Sequence, residues 1–175
     1  MLIAIISDTH DNIPNLEKFL NWAKKNIIET IIHCGDLCAP SILTKVLAPS
    51  FPGEIHLIYG NVGDRELLQE AVKQLKNVKF YGDFGEIELD NKKIAFVHYP
   101  EEAKKLASKG KYDLVFYGHS HKPWIQKLQT NAENRQPQSV LLVNPGNLAG
   151  MFYKPTFAVY DTKTDKLELK ILETL

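Results

Sequence analysis

The chain has 175 residues, of which 44% are hydrophobic and 24% charged, with 21 basic and 21 acidic side chains. That is the length of one domain with a substantial core, and zero formal net charge gives no global reason to expect a nucleic-acid binder or a membrane-surface protein. The opening MLIAIISDTH has an apolar run too short for a membrane span and no basic segment before it, so it is not a signal peptide either. A soluble, cytoplasmic protein is expected.

In chain order, residues 2–6 (LIAII) predict a buried strand. Asn12, Pro14 and the apolar positions Leu16, Phe19, Leu20 and Ala23 predict a capped amphipathic helix. A strand follows from Thr30 to His33, a helix from Pro40 to Leu47, a strand from Ile55 to Tyr59 and a helix from about Asp64 to Leu75. Strands alternating with helices imply βαβ units and a parallel sheet.

The second half changes character. Glu86–Leu89 and Ile94–Val97 read as a hairpin turning at Asp90-Asn91. A helix over Glu101–Lys109 and a buried strand over Asp113–Tyr117 come next. Trp124–Leu128, Val140–Val143, Thr156–Tyr160 and Leu167–Ile171 predict further strands, and the polar stretch 130–138 a surface loop without a site. The expectation is two packed sheets flanked by helices, in one domain spanning 1–175.

Five apolar runs each stop at a potential metal ligand. LIAII leads to Asp8 and His10, TIIHC to Asp36, IHLIY to Asn61, IAFV to His98, and LVFY to His119 and His121. In α/β sheets ligands bind beyond the carboxyl ends of strands, so these endings should converge on one rim. Asp8 and His10 lie two apart, as do His119 and His121; in extended backbone such pairs point the same way and could grip two metals. Gly35, Gly60 and Gly118 suit close backbone approach.

Any one of these residues alone would be a turn residue or a cap; the joint ordering decides. His33 and His56 sit inside apolar strands and are read as structural. Of the two cysteines, Cys34 reads as a small buried apolar residue and Cys38 as incidental.

The order Asp-x-His, Gly-Asp, Gly-Asn, His, Gly-His-x-His resembles the calcineurin-like metallophosphoesterases. The short chain and the segment Asn144-Pro145-Gly146-Asn147 are similar to their compact YfcE-type phosphodiesterase branch. The resemblance covers Ser7 to Asn147. It implies an α/β fold, a four-layer α/β/β/α sandwich with two mixed sheets. It also implies one metal held by Asp8, His10, Asp36 and His121, and a second by Asp36, Asn61, His98 and His119, with Asp36 bridging.

Asp36, Asn61 and His10 are the residues expected to act in catalysis. Imidazole and carboxylate ligands suit manganese, the leading expectation, or nickel, iron or zinc, better than calcium or magnesium. Two divalent ions against two carboxylates leave the centre positive, which suits a phosphodiester anion attacked by a metal-bridging hydroxide.

Three departures from the family pattern stand out. Val62 follows Asn61 where many members carry a histidine that assists the leaving group, leaving His10 or His33 as substitute acids. Gly63 separates Val62 from Asp64, which is left without an assigned role. Tyr99-Pro100 follows His98.

The expected partner is a small phosphodiester, not a membrane; neutral charge weakens a nuclease reading, and homo-oligomerisation stays open. The alternative is a non-catalytic protein-binding scaffold like a retromer subunit of the same fold, which a degenerate ligand set would favour. Here all seven ligand positions hold competent residue types.

Overall fold

The computed structural model describes residues 1–130 and 138–175. Its first sheet has the order β11-β10-β1-β2-β3-β4. The four central and outer parallel strands are β1 (Leu2–Ile6), β2 (Thr30–His33), β3 (Glu54–Leu57) and β4 (Val78–Phe80). β10 (Thr156–Asp161) pairs antiparallel with β1, and β11 (Lys166–Ile171) antiparallel with β10.

The second sheet has the order β5-β6-β7-β9-β8. It comprises β5 (Phe84–Leu89), β6 (Lys92–Val97), β7 (Leu114–Phe116), β8 (Trp124–Thr130) and β9 (Gln138–Asn144). β6, β7 and β9 run parallel, whereas β5 and β8 are antiparallel edges.

Strand pleating sets the layers, because successive side chains point to opposite faces. In β1, Ile3 and Ile5 join Ile32, Phe96, Phe116 and Tyr160 in the core between the sheets. Ala4 and Ile6 instead face Leu16, Phe19, Leu20 and Phe157 beneath helix α1 (Ile13–Lys25). On the far side Ala95, Val97, Val115 and Leu142 pack under α5 (Pro100–Ser108) through Ala103 and Ala107. The result is the expected α/β/β/α sandwich of two mixed sheets.

Local chemistry explains the element ends. Asn12 caps α1, accepting a hydrogen bond from the Asn15 N–H at 3.1 Å, with Pro14 in the first turn. Asp90 and Asn91 are both left-handed, with φ of 48° and 63°, which gives the β5–β6 hairpin its two-residue turn.

The helix expected over 40–47 is longer and irregular. A short α2 (Pro40–Ile42) passes through a π-type turn (Leu43–Leu47) into α3 (Ala48–Ser50), and the Ala48 N–H reaches the Leu43 carbonyl. Pro49 has no N–H to continue the ordinary ladder, so the segment widens instead. The helix expected from Asp64 is α4 (Arg65–Val72). β4 was not expected, being only Val-Lys-Phe on a sheet edge. Of the expected loop 130–138, residues 131–137 lie outside the described residues, while Thr130 and Gln138 close the β8–β9 ladder.

Candidate metal centre

The carboxyl ends of β1, β2, β3, β6 and β7 meet on one rim, and the intervening backbone is stitched across them. Asp8 N–H donates to the Gly35 carbonyl (3.0 Å), His10 N–H to Asp36 (3.1 Å), and Gly118 N–H to His98 (3.1 Å). These bonds tie the turns together, and the side chains of the seven expected residues fall in one connected cluster.

Asp8 Oδ1 lies 3.3 Å from His121 Nε2 and 3.8 Å from His10 Nε2, while the two imidazole nitrogens are 3.1 Å apart. Asp36 Oδ2 lies 3.8 Å from His10 Nε2 and 3.4 Å from His98 Nε2. Asn61 Oδ1 sits 2.8 Å from His98 Nε2 and 2.7 Å from His119 Nδ1. Asp8, Asp36 and His98 form the buried floor, and Asn61 and His119 the exposed mouth.

One expectation about backbone is corrected. The i,i+2 pairs are not extended: β1 ends at Ile6 and β7 at Phe116, and Asp8, His10, His119 and His121 have φ of 52°, 39°, 65° and 59°, with Asp36 at 56°. Left-handed backbone at non-glycine residues persists only where the surroundings impose it, and it gathers at functional sites. The glycines behave as expected. A Cβ at Gly60 would stand 1.9 Å from Asp36 Oδ1, and one at Gly118 would stand 2.0 Å from Ser7 Oγ.

The donor set fits cations, as the hydrogen bonds show. His98 Nδ1 must carry the proton, because it meets the Cys34 carbonyl at 2.8 Å. In the neutral ring Nε2 then turns its lone pair toward Asn61 Oδ1 and Asp36 Oδ2, a group of electron-pair donors suited to a cation. Asp8 Oδ1 is buried without a hydrogen-bond partner, and the nearest ring nitrogen, His121 Nε2, stands 3.3 Å away. A buried carboxylate oxygen left in that state is costly unless a cation compensates it.

Charge reads the same way. Burial opposes protonation of His98, yet the Asp36 carboxylate holds its pKa above the ordinary value; Asp8 does the same for His121. Asp36 is held below the usual carboxylate range: burial works against this, and His98 and the Val62 N–H (3.0 Å from Oδ1) outweigh it.

His33 shows what a structural histidine looks like beside these. Gly35 N–H donates to its Nδ1 (3.3 Å), so Nε2–H donates to Thr9 Oγ1 (3.2 Å). Both nitrogens are engaged and the residue is fully buried, with its pKa lowered to about 4 by that burial. It is therefore no proton donor for a substrate.

Several supporting groups were not foreseen. Cys38 is not incidental: its Sγ lies 3.5 Å from His10 Nδ1. Asn144 Nδ2 donates to the Gly118 carbonyl (2.9 Å) and Ser120 Oγ (3.0 Å), and Asn147 Nδ2 to the His121 carbonyl (3.2 Å), so the Asn-Pro-Gly-Asn segment holds the His119–His121 loop. Asp64 is the N-cap of α4, accepting from Leu67 N–H at 2.9 Å. Outer groups that orient ligands are set by tertiary contacts, which spacing along the chain does not reveal.

Residues 1–165 match the model of the calcineurin-like phosphoesterase superfamily domain. The chain belongs to that superfamily. It is 31% identical over 177 residues to a phosphodiesterase of Methanocaldococcus jannaschii, covering 99% of this chain and all of the relative. A solved archaeal phosphodiesterase superposes with a TM-score of 0.79 at 28% identity, covering 98% of this chain and 99% of that one.

The YfcE phosphoesterase of E. coli, at 14% identity and a TM-score of 0.66, shares the fold over 98% of this chain and 100% of its own. So does a zinc complex of Vps29 from Entamoeba histolytica, at 19% identity and 0.61, over 98% and 99%. The family implies divalent metal ions. Among the described residues, no helix is long and apolar enough to cross a membrane.

Proposed function

We propose that the chain is a metal-dependent phosphodiesterase acting on small diesters. Asp8, His10, Asp36 and His121 would hold one divalent transition ion, manganese first among the candidates, and Asp36, Asn61, His98 and His119 a second. The observation that carries this is the buried, unpartnered Asp8 Oδ1, 3.3 Å from His121 Nε2, together with His98, whose Nδ1 meets the Cys34 carbonyl and whose Nε2 faces Asn61 Oδ1 and Asp36 Oδ2. The 31% identity to a phosphodiesterase over the full chain supports the choice of diester.

Such ions supply Lewis-acid polarisation of phosphoryl oxygens and an acidified water. The chain's own residues prepare the rest. Val62 N–H pins Asp36 Oδ1, leaving Oδ2 toward His10 and His98. Cys34 and Cys38 fix the rings of His98 and His10 from behind.

Val62 stands half-exposed at the mouth and has no proton to give. With His33 sealed away and His10 assigned to the first metal, the departing oxygen leaves as an anion or takes its proton from water. General acid catalysis typically contributes about 10²–10⁴-fold, so kcat/KM should fall steeply as leaving-group pKa rises.

The test is elemental analysis of the chain incubated with Mn²⁺, Ni²⁺ and Zn²⁺, followed by kinetics on graded aryl and alkyl diesters. Two ions per chain and a steep dependence are expected. No bound metal would turn the reading to the protein-binding scaffold. A flat dependence with chemistry rate-limiting would mean another group supplies the proton.

A further inference from the structure

Beside the metal centre lies an apolar feature that folding does not explain. Phe152 is 88% exposed, and its neighbours Met151 and Tyr153 are 42% and 45% exposed. Its φ is 64°, a left-handed conformation that is a genuine outlier for a bulky residue. A large apolar ring is thus held out in water on strained backbone, with little packing in return.

The loop carrying it is anchored. Asn147 Oδ1 accepts the Met151 N–H at 2.7 Å, and Tyr153 N–H donates to the Met151 carbonyl at 2.8 Å. Asn15 and Asn12 side chains donate to the carbonyls of Leu148 and Ala149, both at 2.9 Å. Asn147 also bonds the His121 carbonyl. The segment that fixes a metal-ligand loop therefore also fixes where Phe152 stands.

The Phe152 ring centroid lies 5.9 Å from that of His121, tilted by 40°. A phosphoryl group seated at the cluster would bring one of its ester arms within stacking range of the ring, since aromatic pairs interact at centroid separations of roughly 4.5–7 Å. Tyr99 on the other flank differs. Its ring is edge-on to both His98 and His119, at 5.2 and 4.8 Å, so it braces ligands.

We propose that Phe152 is a specificity-determining residue, the platform on which a planar aromatic arm of the phosphodiester stacks. This rests on the phosphodiesterase reading and narrows it to diesters carrying an aryl group or a nucleobase. Exposed apolar groups rimming a site mark binding surfaces, and base-on-ring stacking is sequence-tolerant because every base offers a π-face.

The test keeps the p-nitrophenolate leaving group constant and varies the other arm: methyl, phenyl, or thymidine 5′-linked. The full chain loaded with Mn²⁺ should prefer both planar arms over methyl. In Phe152→Ala the planar-to-methyl ratio of kcat/KM should fall by about 5- to 150-fold, and Phe152→Trp should restore it. A preference for only one planar arm identifies that source.

An unchanged ratio in Phe152→Ala overturns the platform while leaving the phosphodiesterase reading intact. Equal loss on all three substrates also overturns it, marking Phe152 as a support for His121. Absence of turnover on every diester removes the phosphodiesterase reading and the platform with it. As a readout apart from turnover, the metal-free Phe152→Asn variant should melt at or above the wild-type Tm, because asparagine tolerates left-handed backbone. A clear fall in Tm would mean that packing holds the ring, against the proposal.

Discussion

The interiors of the strands and the turns that follow them obey opposite rules. In β1, β2, β6 and β7, backbone bonds are closed and the side chains facing the inter-sheet core, such as Ile3, Ile5, Ile32, Phe96 and Phe116, are apolar and fully buried. A few residues further on, Asp8, Asp36, His119 and His121 take left-handed backbone, and Asp8 Oδ1 and Ser7 Oγ are buried without partners. The sheets supply the stability that lets the rim hold groups in conformations neither would adopt alone.

The two histidines at this boundary make the contrast sharp. His33 ends β2 and His98 follows β6; both are buried, yet their protons sit on opposite nitrogens and their pKa values move in opposite directions. Where the ring's second nitrogen finds its hydrogen bond separates a structural histidine from one whose other nitrogen is free to serve as a ligand.

The largest expected effect breaks the rim without touching the interior. Asp36→Asn should abolish hydrolysis, lowering kcat/KM by at least about 10³-fold, or roughly 4 kcal/mol of transition-state stabilisation. Unfolding should stay cooperative and within about 2 kcal/mol of wild type, since asparagine fits a left-handed position. Denaturant melts beside diester kinetics check both halves. Near-normal turnover with metal bound would remove Asp36 from the proposed bridging role.

An intermediate effect belongs to the interior side. The folded chain keeps His33 neutral down to about pH 4, whereas the unfolded chain takes up that proton near its ordinary pKa of 6.5. Below pH 6.5 the unfolded state therefore binds more protons, and stability declines until the folded state titrates near 4. That linkage amounts to about 3 kcal/mol. In His33→Gln the decline in unfolding free energy of metal-free protein between pH 6.5 and 4 should shrink by that amount. An unchanged slope would mean that His33 is charged in the folded state.

Much of this contrast was legible in the sequence. Apolar runs and the two periodicities located ten of the strands and the principal helices, because burial on one or both faces writes itself into spacing. The seven rim residues stood out because each closes an apolar run. Backbone twist did not show: the Asp8–His10 and His119–His121 spacing fits extended chain as well as the left-handed turns actually present. Nor did Cys38 behind His10, or Phe152 beside His121, since each depends on a loop folding back from a distant part of the chain. β4 failed for a different reason, three residues on an edge being too short to carry a period.

The smallest expected effect concerns a carboxylate close to the rim that the contrast assigns to scaffolding. Asp64 lies three residues beyond Asn61, near enough in sequence to be taken for part of the site. Its Oδ1 instead accepts the Leu67 N–H at 2.9 Å, satisfying one of the donors that α4 leaves open at its first turn. The same carboxylate also sits favourably at the positive end of the helix dipole. Asp64→Ala should therefore lower stability by about 1 kcal/mol, while Asp64→Asn and Asp64→Ser, which keep a side-chain acceptor, should recover most of it. Hydrolysis, read as kcat/KM on an aryl diester, should change less than about threefold in all three, below the ~1 kcal/mol that a direct role in the transition state would exceed. A large loss in Asp64→Ala that Asp64→Asn fails to restore would show a need for the negative charge itself. That outcome would move Asp64 from the helix cap into the catalytic rim.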